Sequence, residues 1–483
     1  MTTTTGHEAQ LLAHGVTPDF ARQPTALLQV PLRANRWGWR LLLLTVAAWG
    51  LAPVLGFKVA LSAVTVIGFG AAIAGLKVPA AGAIGMALLC TVDALTRHLL
   101  TDGGLLRWNT LTYWIILVSL VWILDVARMK SLPFTLFKAC LLVLVLQLAY
   151  SPDRYLGTQH VLGIAIVPGL WLYQHRAGAD PRTYFWQGVV CATSGVLGGL
   201  LFNLQRDQLP FMNYNAWGLF PMTAMFMAAI GIAHAPHLRS KFYLALCAGV
   251  NLAWVLLSGS RGDLAISLTC LAFVVALLPG ARPRVAALTV VIALAVGGAT
   301  LFPDMQEHAL ARVEKLFDGE QSVESRTSGR SDLLKGGWHI FTQQPMGVGT
   351  GGFMAAWARL GYVEGISGFR AGEYFPAHAG WIKVLSENGI VGIVLLAAFV
   401  GAFAMCGWRH QDAATRKLAM MTTAVLAVAF WSTEFQGKGF WLLAGTALHL
   451  LGSGAIRQSD AAAGAGVPWR AMWTPVRRQV SAP

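Results

Sequence analysis

FYLALCAGVNLAWVLLSGSRGDLAISLTCLAFVVALLPGARPRVAALTVVIALAVGGATLF, residues 242–302, sets the class of fold. Three apolar runs, 242–258, 263–279 and 285–302, are separated by a tight SGSRG turn and a short basic turn holding Arg282 and Arg284. Each run is close to the ~20 residues an α-helix needs to cross a bilayer. The runs are continuously apolar rather than alternating, so they read as membrane helices and not as strands of a barrel.

Outward from this stretch the pattern repeats from Trp37 to Gly454. Further apolar segments lie near 38–56, 59–76, 80–98, 110–127, 133–150, 160–174, 185–203, 215–233, 389–407, 417–432 and 440–455. The total is fourteen, and merging short segments to give twelve keeps the same ends. Only 12% of residues are charged, against about 25% in soluble domains. The expected fold is therefore an all-α polytopic membrane protein of about 12–14 transmembrane helices with one large external loop. The net charge of +14 does not point to nucleic acid, because lysines and arginines in short loops and tails set topology. The six cysteines all lie in apolar runs without paired spacing, and they read as packing residues rather than a disulfide or metal framework.

Charge alternation orients the chain. Loops after even-numbered segments hold Lys77; Arg128 and Lys130; Arg176 and Arg182; Arg239 and Lys241; Arg282 and Arg284; and Arg409, Arg416 and Lys417. The alternate loops carry mostly single cations. Both termini are thus expected in the cytoplasm. The implied divisions are a cytoplasmic tail at 1–36, a transmembrane domain at 37–302, an external loop region at 303–388, closing helices at 389–455 and a cytoplasmic tail at 456–483. Residues 307–319 have an amphipathic helical pattern. Thr327 or Ser328 can cap a helix from about Gly329 that Pro345 stops. Residues 346–353, MGVGTGGF, must turn irregularly, and a final helix is expected after Pro376.

Four constellations could carry chemistry. His378 sits at the start of the helix that enters the membrane from outside. An imidazole there can act as a general base, since a helix N-terminus disfavours its charged form; it can equally cap or pack. Arg261, in the SGSRG turn, can match phosphate oxygens with paired hydrogen bonds, or it can be a snorkelling cation. Arg330 can join it, or pair with Asp332 or Glu324. Arg206 and Arg154 are further external cations, each beside an aspartate that can take it as an ion pair. The GVGTGG amides could line a phosphate, but a structural turn is the simpler reading, and no Gly-Lys-Ser/Thr ending follows. No ligand spacing supports a metal site, and no cofactor is implied.

Together these residues resemble the O-antigen ligase and polymerase superfamily. The resemblance rests on Ser260-Arg261-Gly262, Gly329-Arg330, Pro345, Gly347-Val348-Gly349, and His378…Ile382…Leu385…Glu387…Gly389. Residues 1–240 match only as a many-helix membrane domain. Ala379 stands where many relatives have asparagine, an amide that Asn213 or Asn215 would have to replace.

The resemblance implies a GT-C-like glycosyltransferase in the inner membrane of a Gram-negative bacterium, with its site facing the periplasm. Its donor would be an undecaprenyl-pyrophosphate-linked glycan and its acceptor lipid A-core, as in lipopolysaccharide biosynthesis. A polymerase or a protein O-oligosaccharyltransferase would use the same donor. Arg261 and Arg330, with Arg206 and Arg154, would bind the pyrophosphate, and His378 would take the acceptor proton. Displacement would be metal-independent and inverting, with Glu387 in support or as a nucleophile. The non-enzyme alternative is a transporter of lipid-linked glycans, which would place ionisable groups deep in its helices and show repeats.

Overall fold

The computed structural model describes residues 24–99, 131–165, 169–170, 173–174, 177, 180–205, 214–301, 307, 330–359, 377, 379–432 and 439–451. For 24–33, 97–98, 214–216, 295–296, 298–299, 301, 330 and 432 it describes the backbone alone. The described residues are mostly helical, with no strand among them.

The chain runs α1 (Pro24–Gly50), α2 (Ala52–Leu55), α3 (Phe57–Ala74), α4 (Pro79–Leu99), α5 (Leu132–Gln147), α6 (Arg154–Ile164), α7 (Pro181–Leu204) and α8 (Tyr214–His234). It continues with α9 (Leu238–Ser258), α10 (Arg261–Leu277), α11 (Ala281–Leu301), α12 (Arg330–Gln343), α13 (Phe353–Arg359), α14 (Gly380–Arg409), α15 (Ala413–Ser432) and α16 (Gly439–Leu451). Eight of these are long and apolar enough to cross a membrane, and α5 and α16 are shorter apolar helices. This is an all-α polytopic membrane protein. Of the expected segments, 110–127 lies outside the described residues and 160–174 is described only in part; each of the others has its helix. One boundary differs: α1 begins at Pro24, so the expected tail at 1–36 is helical over its last third. Polar composition does not prevent a helix where no glycine interrupts it.

Burial sorts the bundle. The α4 and α8 spans are the most enclosed, with 89% and 83% of their residues inside the protein, whereas only 28% of the α14 span is. Val54, Trp408 and Trp431 are largely exposed on the outer helices. Such exposure would be a liability in water and is ordinary against lipid. Helix α7 packs on α8, α1 and α4, and α8 packs on α9 and α10. The α7–α8 crossing is close because Gly188 faces Gly231, where an added Cβ would lie 2.5 Å from the opposing Cα. Some polar groups bridge helices inside the bundle: Trp49 Nε1 donates to Ser194 Oγ at 3.0 Å, and Asn251 Nδ2 to the Ala192 carbonyl at 3.2 Å.

Beside the main core lies a second, smaller one built of Leu333, Ile340, Val348, Phe353, Ile382 and Leu385 with their neighbours. It joins α12 and α13 to the first turns of α14. The described part of the expected loop region thus packs on the start of α14.

Candidate functional site

The glycine-rich stretch is the hinge of this unit. Helix α12 ends at Gln343, two residues before Pro345, as the missing N–H of proline requires. Gly347, Gly349 and Gly351 then take φ of +88°, +96° and +82°. Opposite them, α14 breaks at Gly389, with φ 64° and ψ −160°. A break strands backbone groups that must be satisfied elsewhere. Here the loop supplies them: the Val348 and Gly349 amides donate to the Ser386 and Glu387 carbonyls at 2.9 Å each, and the Ile390 amide donates to the Pro345 carbonyl at 3.0 Å. The two irregularities are one structure. The expected helix after Pro376 and the expected span at 389–407 are accordingly a single bent helix.

The same loop amides answer whether GVGTGG cradles a phosphate. The Gly351 amide donates to Glu387 Oε2 at 3.0 Å and the Phe353 amide to Glu387 Oε1 at 3.2 Å. The anion in this nest is the protein's own carboxylate, only 3% exposed. The Gly347 and Gly352 amides are spent on the Gln344 and Gly349 carbonyls. Glu387 is therefore the post on which the loop is fastened.

A second tie runs to the membrane domain. Asn388 Nδ2 donates to Gln147 Oε1 and, at 3.1 Å, to Thr350 Oγ1. Gln147 Nε2 returns to the Asn388 and Met346 carbonyls at 3.2 and 3.3 Å, and Thr350 Oγ1 donates to the Leu144 carbonyl at 2.9 Å. All three polar side chains are buried. The sequence reading missed Gln147, Thr350 and Asn388; the only available signal was a glutamine inside the apolar run 133–150.

Because Gly389 lies in a region of φ/ψ open almost only to glycine, and its added Cβ would sit 2.3 Å from the Pro345 oxygen, Gly389→Ala strains the joint from both sides. We expect a loss of about 2–3 kcal/mol, seen as a lower midpoint of thermal unfolding in detergent and faster proteolysis within 344–360. An unchanged midpoint and cleavage pattern would contradict the joint.

The arginines open helices. Helix α9 ends on Gly259 in the left-handed conformation, φ 65°, Ser260 is extended, and Arg261 is the first residue of α10. The turn expected from SGSRG is thus only two residues long. Arg330 is likewise the first residue of α12, although its side chain lies outside the described residues. Both helices begin Arg-x-Asp. Asp263 is 2% exposed and Asp332 is fully buried, each in a first turn where a carboxylate is favoured by the helix dipole. Lys335 Nζ approaches Asp332 Oδ1 at 3.6 Å. Arg261 is half-buried. Helix α10 packs on α8, α9 and α15, whereas α12 packs on α13 and α14.

The remaining candidates are placed as follows. Arg154 is exposed, opens α6, and donates from Nη2 to the Ala149 carbonyl at 2.9 Å, while Asp153 caps that helix by accepting from the Leu156 amide at 2.9 Å. His378, Arg206 and Asn213, all but the first residue of the expected 307–319 helix, and the Thr327 or Ser328 cap lie outside the described residues, as does the Asn215 side chain. Its two neighbours in the chain, Ala377 and Ala379, are buried. Ala379 is the N-cap of α14 and offers no side-chain hydrogen bond. An asparagine at that position could accept from the helix amides, which gives a physical meaning to the departure noted at Ala379.

Residues 244–397 match the family model described as O-Antigen ligase. The chain carries an O-antigen ligase family domain. The match spans α9 to the middle of α14, less than half the chain, and contains Arg261, Arg330, His378 and Glu387. It leaves α1–α8 outside, and with them Arg154, Arg206, Asn213 and Asn215. Comparison with curated proteins gives no match. The O-antigen ligase domain thus includes the hinge, both Arg-x-Asp helix starts and the second core.

Proposed function

We propose that the protein is an O-antigen ligase: it transfers a glycan from undecaprenyl pyrophosphate to lipid A-core at the periplasmic face of a Gram-negative inner membrane, with both termini cytoplasmic. The observation that carries this reading is the joint inside the O-antigen ligase domain. Glu387 and Asn388 hold the glycine loop and the start of α14 as one rigid piece, directly following His378 in the chain. Rigid support is what a base needs if it is to meet an acceptor hydroxyl in a fixed geometry.

In this reading the acceptor hydroxyl attacks the anomeric carbon, His378 takes its proton, and the sugar–phosphate bond breaks with inversion. The leaving pyrophosphate gains negative charge. Arg261 and Arg330 stabilise it, helped by the amide ends of the helices they open. Arg206 and Arg154 would lie further out along the same anionic path. Glu387 does not attack, since both of its oxygens accept amide hydrogens and its displacement would undo the loop.

The test is a reaction of the purified protein in nanodiscs with a lipid-linked glycan, offered lipid A-core or no acceptor. Product on lipid A-core supports ligation. A ladder of longer glycans on the carrier would replace ligase by polymerase, and glycan on a serine of an added protein would indicate a protein glycosyltransferase. Activity is expected to persist in EDTA; loss restored by Mg²⁺ would contradict catalysis by the arginines alone.

A further inference from the structure

Helix α1 presents one continuous outward row. Arg36, Arg40, Leu43, Leu44 and Ala47 are all exposed, and spacings of three and four residues set them along one face of the helix. The row is charged at its start and apolar beyond. Arg36 and Arg40 stand one turn apart near the beginning of the Ala34–Leu55 span, and the leucines continue toward its middle. Leu43 and Leu44 are 63% and 50% exposed, as suits side chains that face hydrocarbon.

The two arginines are the part of this row that the fold leaves unused. Like charges at i and i+4 weaken a helix. Among the described residues neither guanidinium makes a hydrogen bond or meets a carboxylate. Arg40 lies over the Trp37 ring, 5.5 Å from its centroid, a contact that steadies the guanidinium without using its N–H donors.

Their helix is held firmly. Trp186 of α7 packs against Gly38, where an added Cβ would collide with the indole. Its Nε1 donates to Asn35 Oδ1 at 3.0 Å, and its ring meets Trp39 edge-on with centroids 5.0 Å apart. Tryptophans and arginines together at one end of a membrane span mark the level of the lipid headgroups. Helix α3 returns along α1, and α7 packs on α1 from its own first turns. Exposed Lys77, just after α3, and Arg182, at the start of α7, therefore belong to the same end. Asp180 at that end is spent on capping α7, accepting from the Arg182 amide at 3.0 Å.

We propose that this row binds an anionic glycerophospholipid, its phosphate shared between Arg36 and Arg40 and an acyl chain lying along Leu43, Leu44 and Ala47. One turn separates the arginines by about 6 Å along the axis, a span that two long side chains close on a single phosphate. Each guanidinium offers it paired N–H donors. A zwitterionic headgroup would bring an ammonium to the same two cations, so the row selects for net negative charge. This lipid is a fixed companion of α1 and not a substrate, so the binding does not depend on glycan transfer.

The probe is phosphatidylglycerol with a diazirine in one acyl chain, photolysed with the purified full-length protein in detergent and mapped by peptide mass spectrometry. Crosslinks are expected on α1 within residues 41–51, competed by phosphatidylglycerol and not by phosphatidylcholine of the same chains or by inorganic phosphate. Arg40→Gln should require about 5-fold more lipid for the same crosslinking, and Arg36→Gln with Arg40→Gln about 25-fold more. Lys58→Gln, which removes an exposed cation at the other end of α3, should leave the crosslinks unchanged. Both arginine variants should keep the wild-type thermal midpoint in lipid-free detergent, and if the double variant does not, Arg40→Gln alone decides. Crosslinks absent from α1, equal competition by phosphatidylcholine, competition by inorganic phosphate, full binding by Arg40→Gln, or an equal loss with Lys58→Gln would each overturn the proposal.

Discussion

Replacing His378 with alanine is expected to lower glycan transfer by about 10²–10⁴-fold, the usual worth of a general base, while the protein still inserts and unfolds at the wild-type midpoint. The expectation follows from what surrounds the residue in the chain. Ala377 and Ala379 on either side are buried. The helix that follows is fastened through Glu387 to two loop amides and through Asn388 to Gln147. None of these ties uses the His378 side chain, so removing it should leave the support intact and take away only the base. Because the acceptor proton is lost in the transition state, the fall should appear in kcat more than in KM. Transfer within a few-fold of wild type would remove His378 from the mechanism; a matching fall in thermal midpoint would make it a packing residue.

Changing Arg261 to lysine keeps the charge and is still expected to cost about 100- to 1000-fold in rate, the loss typical of one preorganised donor to a developing anion. Position is the reason. Arg261 opens α10 after a two-residue turn, at the end of the helix where backbone amides are unpaired. A cation there is opposed by the helix dipole, and Asp263 in the same first turn offsets that opposition. A planar guanidinium can share a phosphate with those amides through paired hydrogen bonds, whereas an ammonium offers a point charge on a flexible stem. Full activity of the lysine variant, measured with the same donor, would reduce Arg261 to a topological cation.

Legibility of the chain followed the physics of each feature. The membrane helices were readable because a bilayer enforces length and apolarity on every span. The helix stop before Pro345 and the turn over MGVGTGG were readable because proline and glycine act locally. The joint was not readable. Its bonds connect Gln147, Thr350 and Asn388 across more than 200 positions of sequence at the widest, and no local pattern encodes such a partnership. Lys383 was hidden for a similar reason. In the string HAGWIKVLSE it is one cation among apolar residues, and its burial beside Glu387 depends on packing that is distant in sequence. The glycines also changed meaning. Their amides suggested a place for a substrate phosphate, and the structure fills it with Glu387. Conversely, the repeated Arg-x-Asp at 261–263 and 330–332 was present in the sequence, but became a pattern only when both arginines proved to be first residues of helices.

The claim that this protein breaks a lipid–sugar bond, rather than moving an intact lipid-linked glycan, is tested most directly by following the donor itself. Purified protein is placed in vesicles whose outer leaflet carries a glycan on undecaprenyl pyrophosphate, with lipid A-core present. Free undecaprenyl pyrophosphate and glycosylated lipid A-core should appear in equal amounts, and neither should form with the His378→Ala variant. Donor that stays intact and instead becomes protected in the inner leaflet would contradict the account and make the protein a transporter.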